Sequence, residues 1–322
     1  MSVLVNLKKR LGDKPHIRCK SMIITIMGDV VFVHGEVVDM ASIISLNTLF
    51  DIGKHSSRIA ISRLTTEDWL RQQRTGERNG NRYRFSNKGL ESFRQSAALI
   101  YSNQPSKWTG DWQLLLLNTN IHVKTMRQFI RAIGWLGYGK MQPTVYLCPT
   151  QETNDINQLI ADYGLEKKVS LFRSVAPSDE ENLKQLAERL WNIKAMQKEH
   201  AAFIRKFEHV ENLLPQVTQD PAAAMHLRLR LVHEYRRLIL HTPPLPKNVR
   251  NHFFHADAAF EFCADMYHQL LQASEEFITH LPGCLTSLSD SSLMQRFRQT
   301  DNNATAFAVS PAIRLHAKNL IR

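Results

Sequence analysis

Residues 51–86 read DIGKHSSRIAISRLTTEDWLRQQRTGERNGNRYRFS, and the fold class turns on how they are read. After a polar turn at Gly53, Ala60, Ile61 and Leu64 fall on one side of a helical wheel and Ser56, Arg58, Ile59, Ser62 and Arg63 on the other. That period predicts a helix packed on a core with a polar, basic face turned outward. Two short runs follow, residues 70–75 and 81–85, joined by a basic tip with Gly76, Arg78 and Gly80. They predict a two-stranded hairpin. A helix placed to enter a major groove, with a basic hairpin beside it, is the plan of a winged helix-turn-helix.

The flanking residues agree with this plan. Upstream, Met22, Ile23, Ile24 and Ile26 suit a buried first helix over 21–27, and residues 36–39 suit a strand that joins the hairpin. Asp39 is placed to cap a helix carrying Ile43, Ile44, Leu46, Leu49 and Phe50. Downstream, Ser86 opens a helix over 87–101. Residues 1–19 mix charge with Gly12 and Pro15 and are expected to form a mobile arm, so the DNA-binding domain spans 20–103.

Pro105, Ser106, Thr109 and Gly110 mark a linker over 104–111, with Trp108 and Trp112 expected to pack on either side of it. Strands are expected at 112–117, 144–148 and 169–172. They alternate with a helix carrying Met126, Phe129, Ile130 and Ile133 and with a second at 156–163. Gly134, Gly137 and Gly139 fit a helix-to-strand turn. This pattern predicts a ferredoxin-like α+β domain over 112–177 with helices on one face of its sheet. Ser178 and Glu181 have capping-box spacing, ahead of one long helix running through Leu183, Leu190, Met196 and Phe207. Further helices are expected at 222–240 and 258–278, separated by Pro243, Pro244 and Pro246. The fold class is therefore α+β and multidomain, ending in an α-helical domain over 178–322 with a polar tail.

The chain has 322 residues, 43% hydrophobic and 22% charged, as expected of a folded protein of two or three domains. Its net charge is +11, and residues 54–94 hold ten basic side chains against four acidic ones. The charge excess is concentrated on the proposed reader, which points to a polyanionic partner. Cys19, Cys148, Cys263 and Cys284 are far apart, form no zinc or disulfide pattern, and are expected to be buried thiols. Apolar runs are short; the one at Leu114–Leu117 stops at Asn118. With no membrane span and no leader after Lys8, Lys9 and Arg10, a cytoplasmic protein is expected.

On the reader helix, Arg58 and Arg63 suit bidentate bonds to guanine, and Ser56 and Ser62 suit base edges or phosphates. Either arginine can instead hold the turn or a phosphate. The hairpin arginines Arg78, Arg82 and Arg84 suit phosphate anchoring. His252, His255 and Asp257 have metal-like spacing but no fourth ligand, and no metal is expected. No nucleophile-base arrangement, phosphate loop or dinucleotide fingerprint occurs, so the protein is not expected to be an enzyme.

Several stretches in order, SSRIAISRLTTEDWL with SNKGL, IYSNQPSKWTGDWQLLLL, IGWLGYGKMQPTVYLCP, and LVHEYRRLIL followed by PPLP, resemble the PaaX family, bacterial repressors of phenylacetic acid catabolism. The resemblance implies a winged helix, a Cas2-like ferredoxin-like centre and a helical carboxy-terminal domain. It also implies a homodimer that leaves double-stranded operator DNA on binding phenylacetyl-coenzyme A or a related aryl-coenzyme A thioester, with no cofactor. Departures from the family pattern stand at Thr242, Phe254 and Ser57, where an Asp, a Trp and a larger apolar residue are expected. Cations and rings suited to such an effector are His233, Tyr235, Arg236 and Arg237 on one helix, and Arg127, Arg131 and Trp135 on another. The same residues suit a domain or dimer interface. Two other functions are compatible with the reader: an activator or architectural protein without a small ligand, and, more remotely, a Cas2-like metal-dependent nuclease. Against the nuclease, the strand at 112–117 is followed by Asn118, a poor ligand for a hard cation.

Overall fold

The computed structural model describes residues 2–12, 17–74, 81–102, 111–118, 120–149, 153–175, 180–242, 256–282, 285 and 296–297. The apolar run after Lys20 forms helix α2 (Cys19–Ile26), with Met22, Ile23, Ile24 and Ile26 buried. It continues through a π-helical turn, Met27–Val31, closed by Phe32 N donating to Met27 O at 2.9 Å. The two-residue strand β1 (Val38–Asp39) leads into α3 (Met40–Thr48), whose start is capped by Asp39 accepting from Ser42 N at 2.8 Å. Asp51, at φ 58°, turns the chain out of α3, and Ile52 N closes the turn by donating to Asn47 O at 3.2 Å. Aspartate is one of the few side chains that adopts this left-handed geometry at modest cost.

Helix α4 (Lys54–Thr66) follows, then the antiparallel hairpin of β2 (Leu70–Arg74) and β3 (Asn81–Phe85). β1 pairs on the free side of β3, giving a three-stranded sheet in the order β1-β3-β2. Helix α5 (Asn87–Ser102) starts where the Ser86 hydroxyl accepts from Gly89 N at 2.9 Å. A Cβ on Gly89 would stand 2.2 Å from Trp69 O, so only glycine lets α5 approach the connection between α4 and β2 this closely.

The amino-terminal arm is corrected. Residues 3–10 form helix α1 (Val3–Arg10), with Leu7 fully buried and Leu11 nearly so, against residues of α5 and the carboxy-terminal helices. A single apolar stripe, Leu4, Leu7 and Leu11, among charged neighbours suffices once a large body supplies the other half of the contact.

The central unit runs β4 (Asp111–Leu117), α6 (Val123–Trp135), β5 (Gly139–Gln142), β6 (Val145–Cys148), α7 (Asn154–Asp162) and β7 (Val169–Val175). Its antiparallel sheet has the order β5-β6-β4-β7. β5 is an addition to the sequence reading; a four-residue, largely exposed edge strand carries no alternation to detect. Both sheet faces are covered, which corrects the expectation of helices on one face only. Leu115, Leu117, Tyr146 and Cys148 pack with Phe129, Ile133 and Ile156 of α6 and α7. Trp112, Leu114 and Leu147 pack instead with Leu183, Ala187 and Leu190 of α8 (Glu180–Leu190). The unbroken LLLL of β4 is the signature of a strand buried on both sides. Helix α8 thus belongs to the central unit, moving the boundary from residue 177 to about Leu190. The linker at 104–110, Trp108 and Ser178 lie outside the described residues.

The expected long helix is broken after α8. Asn192 caps α9 (Ile193–Glu211) by accepting from Ala195 N at 3.1 Å. The short α10 (Leu214–Val217), then α11 (Pro221–His241) and α12 (Ala256–Thr279), complete the helical part. This part is not a separate third domain. α11 contributes Met225 and Leu229, and α12 Ile278, to the core of the amino-terminal module. α1 and α5 in turn enter the core of the helical part. Helices α1–α5 and α9–α12 therefore share their cores, and the central unit is inserted between them in the chain.

Two histidines on α11 seal this junction. His226 stacks on Phe50 (ring centroids 4.6 Å apart) and bonds through Nδ1 to Leu49 O at 2.9 Å. His233 Nδ1 lies 3.0 Å from Thr25 Oγ1. Burial, reinforced by Lys8 and Arg230, pushes His226 down to about 3, and burial with Arg236, Arg237 and Arg230 nearby pushes His233 well below the usual range. Both are neutral in the folded protein but take up protons near pH 6.5 when unfolded. Stability is therefore expected to fall as pH drops below about 6.5, by up to about 1.4 kcal/mol per pH unit for each histidine. Urea denaturation between pH 7.5 and 5 checks this. His226→Asn, which keeps a donor for Leu49 O, is expected to flatten the slope, and a slope unchanged in that variant would assign the acid sensitivity to other groups.

Candidate nucleic-acid interface

Helix α4 sorts its side chains as its sequence requires. Ser57, Ala60, Ile61 and Leu64 are buried, while Ser56, Arg58, Ile59, Ser62 and Arg63 are exposed, Ile59 at 39%. Ile59, exposed on the same outer face as the two arginines, suits contact with a thymine methyl. The same face also holds Lys54, His55 and Thr66, all exposed, which the sequence reading did not single out as site residues.

Ser57, a departure from the family pattern, has a local reason. Its hydroxyl donates to Gly53 O at 3.1 Å and accepts from Asn47 Nδ2 at 3.0 Å, pinning α3 to α4 across the turn. Cys19 Sγ donates to Ser56 O at 3.5 Å and ties the start of α4 to α2. The angle between α3 and α4 is thus held by polar bonds as well as by packing.

In the hairpin, Tyr83 and Phe85 point inward and Arg82 and Arg84 outward. The register sets Arg71 opposite Arg84, and Gln73 and Asp39 on either side of Arg82. Arg71 is exposed and extends the basic face. Arg84 is partly committed, since its Nη2 lies 3.1 Å from Glu36 Oε2. Arg82→Ala is therefore expected to lower the salt-dependence slope of DNA binding by about one unit, and Arg84→Ala by clearly less. Equal slopes in a salt titration of both variants would show that the Glu36 pair opens on DNA. Arg78 lies outside the described residues.

The residues expected to hold an effector are not gathered into one site. His233 and Arg236 converge on Thr25 of α2, Arg236 Nη1 donating to Thr25 Oγ1 at 3.0 Å and to Ser21 O at 3.3 Å. Tyr235 is fully buried among Phe203, Phe260 and Phe297. Arg237 is exposed on another side of α11. The ~100° step between neighbouring helix positions separates them. Arg127 and Arg131 are exposed on α6, which ends at Trp135. His233 and Arg236 thus face the amino-terminal module, while Tyr235 faces the interior of the helical body.

Five side chains clustered at this junction were not singled out from sequence. Asp29, in the π-helical turn, is fully buried; Arg228 Nε donates to its carboxylate at 2.9 Å, Arg296 Nη1 at 2.9 Å, and the hydroxyls of Tyr101 and Tyr267 at 3.0 and 3.2 Å. Arg228 also reaches Glu275 at 2.5 Å. Burial pushes Tyr101 well above the usual phenol range and Tyr267 up to about 12, so both remain donors. The wider π turn frees backbone carbonyls, and Gly28 O and Asp29 O accept from Arg296 and Arg228.

No group of three or more metal-binding side chains occurs among the described residues. His252 and His255 lie outside them, and Asp257 is on the first turn of α12. Asn118 accepts from Asn120 N at 3.0 Å. Cys148 and Cys263 are buried and Cys19 is half-buried. No described helix is long and apolar enough to cross a membrane.

A basic helix and hairpin carried on a larger helical body define the class to which DNA-binding transcription regulators belong. Comparison with known proteins narrows it. The PaaX-like protein model matches residues 18–89, the PaaX protein central Cas2-like domain residues 105–186, and the PaaX-like protein C-terminal domain residues 191–280. The chain is 27% identical over 263 residues to the transcriptional repressor PaaX of Escherichia coli (strain K12), covering 80% of this chain and 82% of that protein. It belongs to the PaaX family. Its fold is also similar to that of an uncharacterized protein, Rv0674, from Mycobacterium tuberculosis, with a TM-score of 0.53 at 16% identity over 77% of this chain and 94% of the other.

Proposed function

We propose that this protein is a cytoplasmic, homodimeric transcriptional repressor of a phenylacetate degradation operon, released from its operator by an aryl-coenzyme A thioester, with phenylacetyl-coenzyme A as the first choice. Its amino-terminal module acts as a winged helix-turn-helix and its central unit as a ferredoxin-like domain. The observation that carries the reading is the outer face of α4: Ser56, Arg58, Ile59, Ser62 and Arg63 are all exposed on a helix whose other face is anchored. The β-α-β-β-α-β order of the central unit supports the ferredoxin-like assignment. A single reader helix spans few base pairs, so two copies on two half-sites are expected. Membership of a family that includes a transcriptional repressor supports the regulatory role.

A gel-shift titration on the DNA upstream of the protein's own gene tests this. The protein is expected to bind that DNA, and phenylacetyl-coenzyme A to weaken binding at least tenfold. Binding without release would favour an activator or architectural protein, and metal-dependent loss of the DNA would favour a nuclease.

A further inference from the structure

A small cavity lies where the DNA-facing module meets the helical body. Its walls include Trp69, Phe93, Ser96, Tyr101, Val232 and Arg236. Arg236 is nearly fully buried, and its bonds to Ser21 O and Thr25 Oγ1 both leave from Nη1. No ion pair of Arg236 occurs among the described residues, and Asp29, the acid that lines the cavity, is engaged by Arg228 and Arg296. Burial alone lowers Arg236 to about 10. A buried cation without a counter-charge is costly unless something supplies oxygen acceptors. Aromatic walls around one such cation suit a flat apolar ring that carries a carboxylate or carbonyl oxygen.

We propose that this cavity receives the acyl end of a small aromatic effector, with Arg236 taking the oxygen of a carboxylate or of its thioester and the ring packing among Trp69, Phe93 and Tyr101. The proposal rests on the ligand-released repressor reading and gives that effector a place. The cavity has a volume of about 20 Å³, room for a water or an oxygen but not for a ring. Entry of the ring must therefore displace an aromatic wall, and two walls belong to the reader's support. Trp69 N donates to Leu64 O of α4 at 2.8 Å, and Trp69 O accepts from Ser86 N at 3.0 Å beside β3. Phe93 stacks on Phe85 of β3 with centroids 5.3 Å apart. Displacing either wall shifts α4 or the hairpin relative to α11, so that ligand and DNA favour different arrangements of one junction.

Isothermal titration of phenylacetate, phenylacetyl-coenzyme A and coenzyme A into the full chain, Arg236→Met and Ser96→Leu tests this. Wild type is expected to bind the acid or the thioester at least tenfold more tightly than coenzyme A. Binding of the acid identifies the free acid as a source, and binding of the thioester alone identifies the thioester. Both variants are expected to keep their circular dichroism and to lose at least tenfold in affinity, and Arg236→Met is expected to keep its ligand-free DNA binding. Should Arg236→Met not fold, Ser96→Leu decides, because it fills the cavity and leaves the bonds of Arg236 to Ser21 and Thr25 in place. Wild-type affinity in Ser96→Leu, coenzyme A binding as tightly as the thioester, or no binding to wild type overturns the proposal. If the thioester releases DNA from wild type and Ser96→Leu alike, the cavity assignment fails and the repressor reading stands. If wild type does not bind its upstream DNA, the repressor reading itself fails.

Discussion

Replacing Asp29 by asparagine is expected to destabilise the protein by about 3–5 kcal/mol, the largest effect of any single substitution considered, because it leaves buried guanidinium groups without their counter-charge. Asp29 and Arg228 are both fully buried, and Arg296 is 10% exposed. Asparagine keeps the shape and one carbonyl acceptor, so the loss reports charge more than packing. Glu275 still faces Arg228, but it is partly exposed and shares its carboxylate with His34, whose Nε2 is 2.6 Å away. The groups joined by Asp29 sit on the π turn, α5, α11, α12 and the carboxy-terminal segment, so weakening them should loosen the reader from the body as well as the fold. Urea denaturation followed by circular dichroism measures the change. A loss under about 1 kcal/mol would show that packing, not this ion cluster, holds the junction. Arg296→Ala should cost less, since water already reaches part of that side chain.

The second large effect is expected at the interface. Arg58→Ala and Arg63→Ala should each weaken operator binding by roughly 1–3 kcal/mol, about 5- to 150-fold, with relaxed discrimination at one base position if the side chain reads guanine. Neither should alter stability by more than about 0.5 kcal/mol, because both project from the exposed face of α4. A competition gel shift with operator and unrelated DNA separates the two roles. An equal loss on both DNAs would place the arginine on phosphate, and unchanged affinity would remove it from the interface. Together with Arg82→Ala, which should weaken binding equally on both DNAs and make its salt dependence shallower, the pair divides reading from anchoring.

The exposed face of α4 and the hairpin beside it are legible in the sequence. The outward set on α4 followed from a 3.6-residue period within thirteen residues, and the hairpin from two alternating runs around a glycine-containing tip. Asp39 and Ser86 announced helix starts through chemistry that acts three residues away. Each of these signals is local, so neighbours in sequence are also the interacting partners. What was missed is non-local. Arg228 reaches Asp29 across 199 positions, and Arg236 reaches Thr25 across 211. No period or motif links residues so far apart. Tyrosine, arginine and histidine serve pockets and interfaces alike, so the residue types of His233, Tyr235 and Arg236 do not by themselves separate the two roles. The arm at 1–19 was misjudged for a related reason, since a short amphipathic helix has no stability until a partner surface exists.

The amino-acid sequence by itself determined the α+β class, the reader helix with its hairpin, and the resemblance to one family, because these rest on local propensity, short-range capping and an ordered set of motifs. The tertiary structure decided that helices α1–α5 and α9–α12 share their cores with the central unit inserted between them, that α8 closes the second face of the central sheet, and that a buried ion cluster and a small cavity lie where the DNA-facing stretch meets α11. Those features depend on which apolar faces meet and which charges are sealed from water when they do, and burial of that kind exists only after distant segments have packed.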